Sequence, residues 1–126
     1  MDVWSDSKLL NEMEASWYKS QIGSLNYVAM TTRYDVAHAV SRLSLCASKP
    51  TRASHTALVR VFKYLMNTPN HTLTGKVVTR DRLDMYCDSD HAGDKPHTMQ
   101  SHTRSMILLH DTPIQWVSKK RIDGTA

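Results

Sequence analysis

Leu83-Asp84-Met85-Tyr86-Cys87-Asp88 alternates apolar and polar residues with a period of two. That period places Leu83, Met85 and Cys87 on one face of a half-buried β-strand. Beyond it, Met106-Ile107-Leu108-Leu109 is a continuous apolar run of strand length. His110-Asp111-Thr112-Pro113 reads as a turn, and Ile114-Gln115-Trp116-Val117 as a third strand. Short connections between such strands predict an antiparallel meander.

The residues before Gly75 follow a different period. Tyr18, Ile22, Leu25 and Ala29 fall at spacings of four, three and four, on one face of a helix. Val36, Val40, Leu43 and Ala47 repeat the pattern, with Asp35 as the predicted N-cap and Lys49-Pro50 as the stop. Thr51 is placed to cap a third helix with an apolar face of Leu58, Val61, Phe62 and Leu65. Asn67-Thr68-Pro69-Asn70 ends it. Helices followed by strands predict an α+β chain: a three-helix segment, then a three-stranded antiparallel meander. The change of pattern falls near residues 70–80. Residues 1–15, acidic and polar, are expected to form a flexible leader.

Composition narrows the function. The chain has 126 residues, 40% hydrophobic and 22% charged, which is the balance of a globular protein and not of a disordered one. No apolar run approaches the ~20 residues of a membrane span, and the N-terminus lacks the basic and apolar regions of a signal peptide. Cys46 and Cys87 are the only cysteines. Two distant cysteines point to free thiols in a reducing compartment, so an intracellular location, cytoplasm or nucleus, is expected.

Charge is unevenly distributed. Residues 1–15 carry one base against four acids, residues 16–79 eight bases against one acid, and residues 80–126 seven of each. The middle segment therefore has a net charge of +7. Such a segment attracts polyanions, of which nucleic acid is the commonest. Lys19, Arg33, Arg42, Lys49, Arg52, Arg60 and Lys63 are the candidates for phosphate contacts. For any one of them, a solvated helix face is the simpler reading; the collective excess is harder to explain that way. Trp17, Tyr18 and Tyr27 could stack on bases, but their helical spacing favours core or partner contacts. His91, His97 and His102, with Cys87, form a loose cluster that lacks the closed, short-spaced ligand set of a zinc site.

Five stretches in order resemble the polyproteins of copia-type retrotransposons. Tyr18-Lys19-Ser20-Gln21-Ile22-Gly23-Ser24-Leu25-Asn26-Tyr27 resembles the pattern Y-R/K-S-x-V/I-G-S-L-x-Y. Thr32-Arg33-Tyr34-Asp35-Val36-Ala37-His38-Ala39-Val40 resembles T-R-P-D-I/V-A-x-A-V, with Tyr34 in place of proline. Lys49-Pro50, His55 and Phe62-Lys63-Tyr64-Leu65 match N-P…H…L/I-R/K-Y-L. Tyr86-Cys87-Asp88-Ser89-Asp90-His91-Ala92-Gly93-Asp94 looks like Y-S/C-D-A/S-D-W/H-A-G-D. Pro113-Ile114-Gln115-Trp116 and Ser118-Lys119-Lys120 look like P-I-S-W followed by S-K-K. The order and spacing hold over roughly residues 17–120.

The resemblance implies that residues 16–75 are the thumb-like helical part of a reverse transcriptase. It likewise implies that residues 80–126 are the N-terminal part of a ribonuclease H-like domain, an incomplete version of that fold. Asp88 then matches the first catalytic aspartate, a ligand of Mg²⁺ in the family. The family's next ligand is a glutamate on a helix beyond the third strand, and this chain has no glutamate after Glu14. Asp90 and Asp94 read more simply as solvating a turn. Ser101-His102-Thr103-Arg104 stands where the family reads S-T-S-G, which puts an arginine at a glycine position expected in a tight turn. Tyr86-Cys87-Asp88-Ser89 lacks the paired aspartates of a polymerase palm. The chain by itself is thus expected to be inactive, with no stably bound Mg²⁺. Its expected partners are an RNA–DNA or DNA duplex held without sequence preference, and the rest of a Pol polyprotein. The rival expectation is a retroelement fragment reused as a protein-interaction module, pairing through an open sheet edge.

Overall fold

A computed structural model describes residues 7–75, 82–90 and 102–120. The described elements are three α-helices and one three-stranded sheet, an α+β chain. They run α1 (Glu12–Thr31), a single 3₁₀ turn (Tyr34–Val36), α2 (Ala37–Ser44), α3 (Arg52–Asn67), β1 (Leu83–Asp90), β2 (His102–Leu109) and β3 (Thr112–Lys120). The chain divides into two compact units, Met1–Thr72 and Leu73–Ala126.

In the helical unit, α1 starts at Glu12, six residues before the apolar pattern does. Asn11 makes this possible. Its side chain accepts from the Glu14 N–H at 2.8 Å, and the Glu14 carboxylate accepts from the Asn11 N–H at 3.1 Å. This reciprocal capping box satisfies two donors at the helix start, and Glu12 and Glu14 complement the positive end of the helix dipole. The expected leader over residues 1–15 is corrected in its second half. Leu9 bridges Thr51, Leu10 N–H donates to the Pro50 carbonyl at 3.0 Å, and Arg52 N–H donates to the Lys8 carbonyl at 2.9 Å. Residues 1–6 lie outside the described residues.

The core is built from the positions that the helical period marks. Tyr18, Ile22, Leu25 and Ala29 of α1 pack with Val36, Val40, Leu43 and Leu58. Val61, Phe62 and Leu65 of α3 are partly buried against them. Tyr18 carries a hydroxyl into this core, where it donates to the Leu43 carbonyl at 2.9 Å. Burial pushes its pKa up to about 12, since the phenolate would be poorly solvated there.

Two expected boundaries differ. Asp35 is not the N-cap of α2. It sits within the 3₁₀ turn, and α2 starts at Ala37 without a side-chain cap. The carboxylate is instead engaged by Arg33 and Tyr64. α2 also ends at Ser44, before Pro50 can end it. Residues 45–49 tighten into successive i→i−3 bonds, such as Cys46 N–H to the Leu43 carbonyl at 3.1 Å. The cap of α3 is as expected: Thr51 accepts from Ser54 N–H at 3.3 Å and Ser54 Oγ accepts from Thr51 N–H at 2.9 Å.

In the sheet unit the strands are antiparallel in the order β1-β2-β3. Leu83 pairs with Leu109, Met85 with Ile107, and Asp88 with Arg104 across β1 and β2. Met106 pairs with Trp116 across β2 and β3. Alternation puts Asp84, Tyr86, Asp88, Arg104, Met106 and Trp116 on one face, and Leu83, Met85, Cys87, Ile107 and Val117 on the other. Met106, Ile107 and Leu108 are half-buried on β2, which is flanked on both sides. Among the described residues of this unit, the exposed large apolar side chains are Leu83, Met85 and Tyr86 on edge strand β1, Leu109 at the end of β2 and Ile114 at the bulge of β3.

The β2–β3 turn is short and costly. His110 (φ 52°) and Asp111 (φ 63°) both adopt left-handed conformations. Two successive positive φ values define the turn type that favours Asn-Gly. Replacing both, as H110N/D111G, should stabilise the sheet unit by about 1 kcal/mol, since Asp and His pay for this conformation. Slower amide hydrogen exchange across β2 and β3 is the expected reading; unchanged exchange would mean that the turn stores no strain.

Candidate nucleic-acid interface and carboxylate site

Helix α3 presents the basic residues most coherently. Arg52, Thr56, Arg60 and Lys63 recur at spacings of four, four and three, which aligns them along one side. All four are exposed, opposite the side that buries Leu58. Arg52 to Lys63 spans about 16 Å of helix axis, enough to follow several phosphates of one strand. Arg60 and Lys63 have no acidic partner among the described residues. Arg52 does: it pairs with Glu14 at 2.8 Å, which ties the first turns of α1 and α3 together.

The other predicted contacts divide. Lys19 on α1 and Lys49 ahead of Pro50 are exposed. Arg42 is half-buried in the last turn of α2. Arg33 is a correction: its side chain is 9% exposed and faces inward. Its guanidinium donates to Asp35 at 2.9 and 2.8 Å and to the carbonyl and hydroxyl of Thr68 at 3.0 and 2.7 Å. With four of its five N–H donors engaged in this way, the buried guanidinium has little left for a phosphate.

The N-terminus of α3 is likewise closed to anions. Its first N–H groups go to the Lys8 carbonyl, the Ser7 hydroxyl and the Thr51 hydroxyl. Of the aromatics, Tyr18 is fully buried, and Tyr27 is 73% exposed. Trp17, at 44% exposure, lies against His55 with ring centroids 5.3 Å apart.

In the sheet unit, Asp88 lies on β1 and is 66% exposed. Arg104 stands opposite it on β2, with Nη1 3.4 Å from Asp88 Oδ2. The nearest carboxylate on that face whose side chain is described, Asp84, is four residues along the strand, about 13 Å away. Asp84 is held by Arg82 at 2.8 Å. Among the described residues no three His, Cys, Asp or Glu side chains converge as a metal site would need. Asp88 as found here therefore does not fit the Mg²⁺ site that the resemblance implies: hard dications want several convergent oxygens, and this carboxylate has an arginine beside it. Asp94, His91, His97 and Asp123 lie outside the described residues, as do the side chains of Asp90 and His102.

Two features escape the sequence. One is the Arg33–Asp35–Tyr64–Thr68 cluster, whose members are up to 35 residues apart. The other is the Asp88–Arg104 pair, since Arg104 lies inside β2 and not in the tight turn expected there. Its register with β1 depends on a connection whose length no periodicity reveals. No described helix is long and apolar enough to cross a membrane.

Comparison with known proteins matches these stretches across most of the chain. Two retrovirus-related Pol polyproteins of Arabidopsis thaliana, from transposons RE1 and RE2, are 38% and 39% identical to it over 121 residues. These matches cover 96% of the chain, which spans only 8% of the length of either polyprotein. Secreted RxLR effector protein 161 of Plasmopara viticola is 35% identical over 104 residues, covering 82% of the chain and 72% of that protein. No protein-family model and no solved structure matches. With its five motifs in order and identity of this level along nearly its whole length, the chain belongs to the retrovirus-related Pol polyproteins of copia-type retrotransposons.

Proposed function

We propose that the helical unit is the thumb-like part of a reverse transcriptase and that the sheet unit begins a ribonuclease H-like domain. In the parent polyprotein the two would serve RNA-directed DNA synthesis and cleavage of the RNA strand of a hybrid. The part played by this chain is to hold the duplex by its backbone, without reading sequence. The observation that carries this reading is the exposed basic side of α3, with Arg60 and Lys63 unopposed by acids, and Lys19 and Lys49 exposed elsewhere on the same unit. Polymerisation itself needs a palm, and hybrid cleavage needs more carboxylates than Asp88. The contribution proposed for this stretch is accordingly non-specific binding of the duplex.

The test is fluorescence anisotropy of a labelled RNA–DNA hybrid with the 126-residue chain. With about four phosphate contacts, affinity should fall roughly a hundredfold between 50 and 200 mM salt. The R60E/K63E variant should bind at least about tenfold more weakly, because two attractions become repulsions. Its helical circular dichroism should not change, since both side chains are exposed. Salt-independent binding, or equal binding by the variant, would sink the proposal.

A second reading has one observation in its favour. The chain matches most of a small protein that is named a secreted effector, so the same stretch occurs outside a full-length polyprotein. On this reading the fragment is a reused protein-interaction module. The neighbouring coding sequence separates the two. A polymerase palm in frame upstream and a carboxylate-bearing helix downstream support the first; a reading frame standing apart from both supports the second.

A further inference from the structure

We infer that Arg104 stands in for the divalent cation at Asp88, so that this sheet face keeps a resident guanidinium and does not take up metal. The inference rests on reading the sheet as the start of a ribonuclease H-like domain; the ion pair itself does not. Asp88 and Arg104 are direct cross-strand partners, so their side chains leave the same face within reach of each other. Arg104 Nη1 lies 3.4 Å from Asp88 Oδ2. The pair is exposed, 44% for Arg104 and 66% for Asp88, so its own contribution to stability is small.

Its effect on a dication is larger. A fixed positive charge about 5 Å from a bound M²⁺ opposes binding roughly tenfold even at the dielectric constant of water. No second described carboxylate offsets this, because Asp84 is far along the strand and is neutralised by Arg82. The resemblance puts glycine at position 104, a residue without charge or bulk. Arginine there fills the approach to Asp88 and neutralises it in one substitution.

The experiment is an NMR titration of the 126-residue chain with Mn²⁺, following paramagnetic broadening of the amides of Asp88 and its neighbours on β2. R104Q removes the charge and keeps most of the bulk. It should reach half-broadening at about tenfold lower Mn²⁺ than the wild type. Arg104→Thr, a better strand former, should do the same and guards against a folding defect in the glutamine variant. Arg104→Lys should behave as the wild type, and R104Q/D88N should lose the gain. Equal broadening in wild type and R104Q, or broadening that persists in R104Q/D88N, would overturn the inference. Loss of hybrid binding in the anisotropy assay would refute the thumb reading and leave this result untouched, because that assay probes the other unit.

Discussion

Leu58→Ala is expected to cost the helical unit about 3 kcal/mol, within the range found when a fully buried leucine is cut to alanine. Leu58 is completely buried on α3 and is the residue through which that helix enters the cluster of Tyr18, Leu25, Val40 and Leu43. The side chains around it are held on two other helices, so the space left behind cannot close without moving a backbone. The magnitude matters because the unit is small. A single core of this size supplies on the order of 3–5 kcal/mol of net stability. The substitution thus removes most of it. In a urea titration followed at 222 nm, the helical transition should move to much lower denaturant, with a visible unfolded fraction before any is added. Val61→Ala, at a partly buried position of the same helix, should cost clearly less. A Leu58→Ala transition at the wild-type midpoint would show that α3 is not anchored through this residue. Hybrid binding should weaken in parallel, since Arg60 and Lys63 are aligned only while α3 is helical.

What could be read from the residues follows from how local the deciding interactions are. The α1 face of Tyr18, Ile22, Leu25 and Ala29 was legible because burial of one helix face imposes a 3.6-residue period on the chain itself. Thr51 was legible as a cap because its partner, Ser54, is three residues away. The same holds for the three strands, whose alternation or apolar run is a local feature; the turn expected over His110-Asp111-Thr112-Pro113 is shorter in the structure, because Thr112 and Pro113 pair with Leu109 and Leu108 as part of β3. Asp35 was misread for the opposite reason. A side chain that fits an N-cap locally is claimed by Tyr64, 29 residues on, and by an arginine that also reaches Thr68. Arg33 illustrates the corresponding error for the site. Composition counts a basic residue as available, whereas the fold turned this one inward. The start of α1 was missed because Asn11 and Glu14 act through hydrogen bonds and not through hydrophobic period.

The site divides along the same line. Exposed bases on α3 were legible as charge, and their alignment follows from helix geometry alone. The state of Asp88 was not. Its motif marks it as a family carboxylate, but its chemistry is set by what lies across the sheet. On the proposed reading, the departure at Arg104 puts an ion pair where the resemblance implies a metal ligand. Motif and function therefore separate in this chain: membership of the family is clear over nearly its full length, while the carboxylate that the resemblance marks, Asp88, has an arginine and no second carboxylate beside it among the described side chains.

Arg33→Met should be the second most damaging substitution, and its signature is in the acid dependence. Arg33 joins the α1–α2 connection to the end of α3: it pairs with Asp35 through two hydrogen bonds, reaches both oxygens of Thr68, and lies 5.6 Å above the Tyr64 ring. Methionine keeps the length but leaves the Asp35 carboxylate with only the Tyr64 hydroxyl as a hydrogen-bond donor from a side chain and His71 Nδ1 at 3.8 Å, and deprives the Thr68 carbonyl of its Arg33 donor. Stranding a part-buried carboxylate and a carbonyl should cost about 2 kcal/mol at neutral pH. In the wild type, hydrogen bonds from Arg33 first, and then Tyr64, hold the Asp35 pKa at about 2, below its ordinary 3.8, against the opposing effect of desolvation. A depressed carboxylate pKa means that the folded state binds the proton less readily than the unfolded state does. The associated stability is complete above pH 3.8 and is lost as pH falls through about 2. Urea midpoints of the helical unit measured from pH 5 to pH 2 should therefore fall more steeply for the wild type than for Arg33→Met, and the two curves should converge at the acid end. Parallel curves would mean that Asp35 is not stabilised by Arg33. Asp35→Asn separates the two halves of the cluster: it should remove the acid dependence as well, while at neutral pH it leaves a 9%-exposed guanidinium facing a neutral amide but still bonded to both oxygens of Thr68.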